Sequence, residues 1–126
     1  MLVAPSASAF VSPGFRASRA RRTLVGTWRI VGNRKGGVVE DIDPAVRVDI
    51  TPTTLRRRVG GVVDPNFGRY EILHEDETSL DLRVTFVDDV LDIDVLVETP
   101  SAMTFYIRSA KDDDDERAVR LERVEE

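Results

Sequence analysis

The stretch Thr23-Leu24-Val25-Gly26-Thr27-Trp28-Arg29-Ile30-Val31-Gly32 holds the only tryptophan of the chain. Read as a strand, it puts Leu24, Gly26, Trp28 and Ile30 on one face and Val25, Thr27, Arg29 and Val31 on the other. A glycine two residues before the tryptophan, on the same face, leaves space beside a large flat ring. That arrangement suits an indole laid across the floor of a closed barrel.

The rest of the chain supplies walls for such a barrel. Beyond this first strand, 24–32, period-two alternation predicts seven more, at 45–51, 54–59, 69–75, 79–87, 90–98, 102–109 and 117–124. In the fifth, Leu80, Leu82, Val84 and Phe86 alternate with Asp81, Arg83 and Thr85; in the sixth, Leu91, Ile93, Val95 and Val97 alternate with polar Asp92 and Asp94. Gly36-Gly37, Thr51-Pro52-Thr53, Gly60-Gly61, Asp88-Asp89 and Thr99-Pro100-Ser101 mark the turns. No segment shows a helical period. The expected fold is all-β, an eight-stranded antiparallel up-and-down barrel, because closure hides every one-sided apolar face and removes both edges. A two-sheet sandwich would need the longer connections of Greek-key crossings.

Length and composition bound the function classes. With 126 residues, 41% hydrophobic and 33% charged, the chain fits one domain with one core. No apolar run approaches the ~20 residues of a membrane-spanning helix. The absence of cysteine excludes disulfides, thiol nucleophiles and zinc–thiolate centres, and a single histidine excludes multi-histidine metal sites. No metal or cofactor is therefore expected. Residues 1–22 hold four arginines and no acid; the remaining 14 basic residues face 23 acids, a net charge of −9 for the body. Such a body repels a nucleic-acid backbone and argues against broad contact with anionic lipid.

Gly26-Thr27-Trp28 resembles the glycine-any-tryptophan motif on the first strand of the calycin group: lipocalins, fatty-acid-binding proteins and small lipocalin-like domains. Gly68-Arg69-Tyr70 resembles the Gly-Thr-Tyr stretch of small lipocalin-like domains, whose tyrosine enters the barrel. The resemblance implies that an arginine of the last strand lies over the first-strand tryptophan and bonds the N-terminal carbonyls. Arg123, in phase with Val119 and Leu121, matches that position, with Arg120 as the substitute if a bulge shifts the phase. Gly26, Trp28 and Arg123 are thus the expected structural closure. The Thr-Asp-Tyr motif of lipocalins is absent, and the link after the first strand is too short for the two-helix lid of fatty-acid-binding proteins.

Residues 1–22 read as a disordered leader or targeting segment, with the barrel domain at 23–126 and no packing between the two. Ala7-Ser8-Ala9-Phe10 resembles the Ala-Ser-Ala-Phe junction of preproteins bound for complex plastids, which implies a plastid destination. Only six residues precede Ala7, fewer than a signal peptide's apolar core needs. An ordinary N-terminal tail on a soluble cytoplasmic protein is the other reading.

The expected ligand-binding residues are Arg57, Tyr70, His74, Phe86 and Phe105. Arg57, Tyr70 and His74 together would make a polar group suited to an anionic head inside an apolar cup, which Phe86 and Phe105 line or fill. Alternatively, Arg57 and His74 sit at the barrel ends and reach solvent. The triplet Arg56-Arg57-Arg58 is divided between two faces and lacks an aromatic platform on its strand, which argues against nucleic acid. Asp112–Asp115 read as a solvated hairpin tip, since calcium loops intersperse their ligands with glycine.

Three functions follow. The first is a non-catalytic lipocalin-like protein that binds a small hydrophobic or amphipathic ligand inside the barrel. The second is a filled barrel serving as a protein-interaction module through outward Leu73, Leu96 and Tyr106. The third is a small barrel enzyme using His74 and Tyr70, which no nucleophile motif or pair of inward carboxylates accompanies.

Overall fold

In a computed structural model, which describes residues 17–109 and 116–125, alternation becomes strand almost throughout. The elements are α1 (Arg19–Leu24), β1 (Gly26–Lys35), β2 (Val38–Val39), β3 (Val46–Ile50), β4 (Thr54–Val59), β5 (Val62–Val63), β6 (Gly68–Glu75), β7 (Ser79–Thr85), β8 (Val90–Thr99), β9 (Ala102–Ser109) and β10 (Arg117–Arg123). Eight of the strands form a ring in the order β1-β3-β4-β6-β7-β8-β9-β10, and β10 pairs back onto β1. The barrel is closed, antiparallel and eight-stranded. β2 and β5, two residues each, fold back on β1 and β4 around Gly36-Gly37 and Gly60-Gly61. The acidic run after Lys111 lies outside the described residues up to Asp115.

The seams differ in strength. β7 and β8 pair over seven positions from Ser79↔Leu96 to Thr85↔Val90. β4 and β6 pair only at Thr54↔Arg69 and Leu55↔Gly68. Two hydrogen bonds extend that thin seam: the Tyr70 backbone amide donates to Thr53 O of the Thr51–Thr53 turn (3.0 Å), and the Tyr70 hydroxyl donates to Thr51 O (2.6 Å).

Two bulges decide which side chains enter the barrel. In β1, Ile30 opposes Leu121 but Gly32 opposes Arg120, so Val31 is the extra residue and Asn33 comes to face inward opposite Val119. In β6, Ile72 opposes Leu82 but His74 opposes Asp81, so Leu73 is extra. His74 is thereby turned to the outer face, and Glu75, opposite buried Leu80, is turned inward.

The absence of helix from the expected fold is corrected at α1. So is the division at position 22: Ser18–Arg22 pack onto the barrel floor instead of trailing off it. Ser18 caps the helix, its hydroxyl accepting from the Arg21 amide at 3.1 Å. Glu75 accepts from the Ser18 amide at 3.2 Å and Glu77 from the Arg19 amide at 3.3 Å. At the other end, Trp28 Nε1 donates to Leu24 O at 3.0 Å. Ala20 and Leu24 have no exposed surface. A helix this short is marginal alone; the barrel floor holds it by supplying the partners its ends lack.

Candidate functional site

The floor end of the barrel is closed by α1 and by the Trp28–Arg123 pair. The Arg123 guanidinium lies 4.4 Å from the indole centroid. It donates to Thr23 O (2.6 Å), Val25 O (3.1 Å) and Pro100 O (3.1 Å), tying α1, the start of β1 and the β8–β9 turn together. Gly26 makes the pair fit: a Cβ there would collide with the guanidinium, and its φ of 151° suits glycine. Trp28, Leu80, Leu82, Val84, Val95, Met103 and Leu121 are fully buried above this plug. Each contributes about 1.5–3 kcal/mol through removal from water.

The opposite end is built differently. Ile30, Phe86, Leu91 and Ile107 face inward and pack on the core, yet keep part of their surface in solvent. Phe86 lies over Gly68, where a Cβ would meet Val84 and the phenyl ring. Around them runs a polar rim. Arg117 donates to Asn33 Oδ1 (2.8 Å) and Glu40 Oε1 (2.5 Å), and the Ser109 hydroxyl donates to Asp89 Oδ2 (2.7 Å). Outside the rim stands a collar of exposed valines: Val38 and Val39 of β2, Val59, Val62 and Val63 of the β4–β5 hairpin, and Val87, 95% exposed, in the β7–β8 turn. Beside Val87 a cleft of about 250 Å³ is lined by Pro65, Phe67, Arg69, Thr85 and Phe86. Phe67 is covered by Arg56 at 4.8 Å and Arg69 at 5.7 Å from its centroid. This open end is the candidate site.

The expected ligand residues are not brought together there. Arg57 is on the inward phase opposite Val48 but ends at the mouth, 59% exposed, 3.8 Å from Asp64. His74 is at the floor end, 69% exposed on the outer wall and 3.9 Å from Asp76. The bulge at Leu73 is the reason, and it corrects the expected Arg57–Tyr70–His74 group. Tyr70 is half-buried at the floor side of the thin seam; burial raises its hydroxyl above the ordinary value, against the nearby Arg21 charge. Phe105 is buried in the core opposite Val95 and Val119, where it fills the barrel and lines no opening. Of the five, Phe86 and the exposed tip of Arg57 are at the mouth, and Phe86 alone is apolar there. The pairing of His74 with Tyr70 proposed for an enzyme is corrected on the same ground: one side chain is outside the wall and the other inside. Among the described residues no group of three or more His, Asp or Glu side chains converges to hold a metal.

Sequence reasoning missed Glu75. It lies below its ordinary value, at about 2, because Arg21 donates to it at 2.5 and 3.2 Å and Ser18 bonds it as well, outweighing desolvation. The signal was a bulge, which alternation does not announce.

No family model and no curated protein matches the chain. Solved structures do. The redesigned β-barrel b11L5F_LGL matches at 17% identity with TM-score 0.57, covering 86% of this chain and 97% of its own. The redesigned β-barrel mFAP1, bound to DFHBI, matches at 15% and 0.55, covering 84% and 100%, and EF1p2_mFAP2b bound to DFHBI at 14% and 0.56, covering 86% and 100%. These likenesses show the fold: a closed β-barrel. Among the described residues no helix is long and apolar enough to cross a membrane.

Proposed function

We propose that this protein is a non-catalytic binder of a small apolar or amphipathic molecule, held in the upper half of the barrel and admitted past the valine collar. One observation carries the reading: inward-facing Phe86, Leu91 and Ile107 at the mouth remain in part accessible, whereas Leu24, Trp28, Leu80 and Met103 toward the floor are fully buried. Apolar walls with a few polar groups at the rim are the usual make-up of a small-molecule site. That two barrels of similar fold bind DFHBI supports the reading. The polar rim of Asn33, Ser109 and Arg117 suits a ligand whose polar end stays at the mouth.

The test is native mass spectrometry of the protein from its own source, together with titration of an environment-sensitive apolar fluorophore. A retained small molecule, and fluorophore binding abolished by Ile107→Arg with the fold intact, are expected. Absence of both a retained mass and fluorophore binding would reject the reading. The plastid destination remains part of the proposal, supported by the Ala7–Phe10 junction. Because Ser18 caps α1, a cleavage compatible with the fold falls before it, which N-terminal sequencing of the mature protein checks.

A further inference from the structure

Closure of the ring brings like charges face to face on two outer walls. Across β1, β3 and β4, Arg29 stands directly opposite Arg47, and Arg47 directly opposite Arg58. Across β7 and β8, Asp81 stands directly opposite Asp94. Like charges in such positions destabilise a sheet. In the ring of eight, β3 and the β7–β8 pair are nearly diametrically opposed.

The surroundings of the rows differ as well. Beside the aspartates are exposed Leu96 and half-buried Tyr106, the latter directly opposite Asp94, and one step along the wall Asp92 stands opposite Arg83 and Arg108 and bonds Arg83 at 3.3 Å. The arginine wall adds Arg56 and Arg69 around Phe67. Asp49 and Glu122 are its carboxylates, bonded to Arg58 at 2.7 Å and to Arg29 at 2.8 Å. Guanidinium groups accept carboxylates in a planar fork and stack on tyrosine, while their aliphatic stems cover leucine.

We propose that the Arg29–Arg47–Arg58 wall of one molecule docks on the Asp81–Asp94 wall of a second copy, with Tyr106 and Leu96 beneath the arginine stems. The contact sets each row against a row of opposite sign, beyond the partners that Asp49 and Glu122 already supply within the arginine wall. A nucleic acid or other polyanion would find only a row about 10 Å across on a body whose remaining field is negative. Because the two walls are different surfaces on opposite sides, the contact is heterologous: it leaves a free wall at each end and propagates beyond a dimer. The interior mouth is not involved, so this association stands or falls separately from ligand binding.

Sedimentation of the full chain tests it. At about 0.02 M salt the weight-average mass rises with concentration past twice the monomer, and at about 0.5 M salt it returns to the monomer as the charges are screened. Arg47→Glu alone and Asp94→Lys alone each remain monomeric at low salt. Mixed in equal amounts they associate again, since each retains the wall the other has lost. Circular dichroism verifies folding; if Arg47→Glu unfolds, Arg47→Gln replaces it and must still lower the association at least several-fold. A wild-type monomer at every concentration, single variants that assemble as the wild type does, or a mixture that stays monomeric would each overturn the proposal. So would particles that form only with added RNA and are unaffected by Asp94→Lys, which would assign the arginine row to a polyanion.

Discussion

At the floor of the barrel, Trp28 meets Arg123, Leu24 and the end of α1, and the polar atoms around it are bonded within the protein. At the mouth, Phe86, Leu91 and Ile107 occupy the same inward phase and still touch solvent. The two ends share one alternation and one ring of strands. They differ in what lies across the opening: a helix fixed by four side chains at one end, outward-leaning hairpins with exposed valines at the other. Inward orientation therefore does not imply burial. Burial at the end of a barrel needs a separate piece of chain to cover it.

That contrast is open to attack at its strong end first. Trp28→Ala removes the largest buried side chain and should lower stability by about 3–5 kcal/mol, read from urea unfolding; a loss under about 1 kcal/mol would mean that the floor is not the barrel's anchor. Arg123→Ala strips donors from Thr23, Val25 and Pro100 and the cation from the indole. The expected loss is about 2–3 kcal/mol, with Trp28 fluorescence shifting to longer wavelength as water reaches the ring.

Glu75→Gln comes next, at about 1 kcal/mol, kept modest because Arg21 is partly solvated. Its pH signature is sharper than its size. The folded value of Glu75 is held at about 2, below the ordinary 4.5. Its contribution is therefore complete above about 4.5 and is lost as pH falls toward 2. A stability–pH curve between those values should be steeper for the wild type than for Glu75→Gln; identical curves would remove Glu75 from the floor.

At the mouth the effects shrink. Leu91→Ala or Ile107→Ala should cost roughly 1 kcal/mol, less than half of Leu82→Ala in the filled section, because solvent already reaches these sites. Val87→Ser should change stability by no more than about 0.5 kcal/mol and act on fluorophore uptake instead. Equal costs for Leu91→Ala and Leu82→Ala would erase the distinction between the ends.

Much of this was legible in the chain. The eight ring strands fall where alternation puts them, β4 and β9 with the expected limits, and the inward phase of Leu80, Leu82, Val84, Ile93 and Val95 is their burial pattern. The fit of Arg123 over Trp28 beside Gly26 could be anticipated from resemblance and phase. The candidate site was much less legible. His74 and Glu75 exchange faces at a bulge, and nothing in Ile72-Leu73-His74 marks one. α1 shows no period because six residues are too few to display it, and its support comes from Glu75, 57 residues beyond Ser18.

By itself, the sequence determined strands, faces and closure, since a two-residue period acts locally and each one-sided apolar strand must find a neighbour on both edges. Only the tertiary structure decided which end is plugged, which residues the bulges invert, and which charges stand opposite one another. Those outcomes depend on register between strands distant in the chain, where a shift of one residue moves a side chain from the core to water.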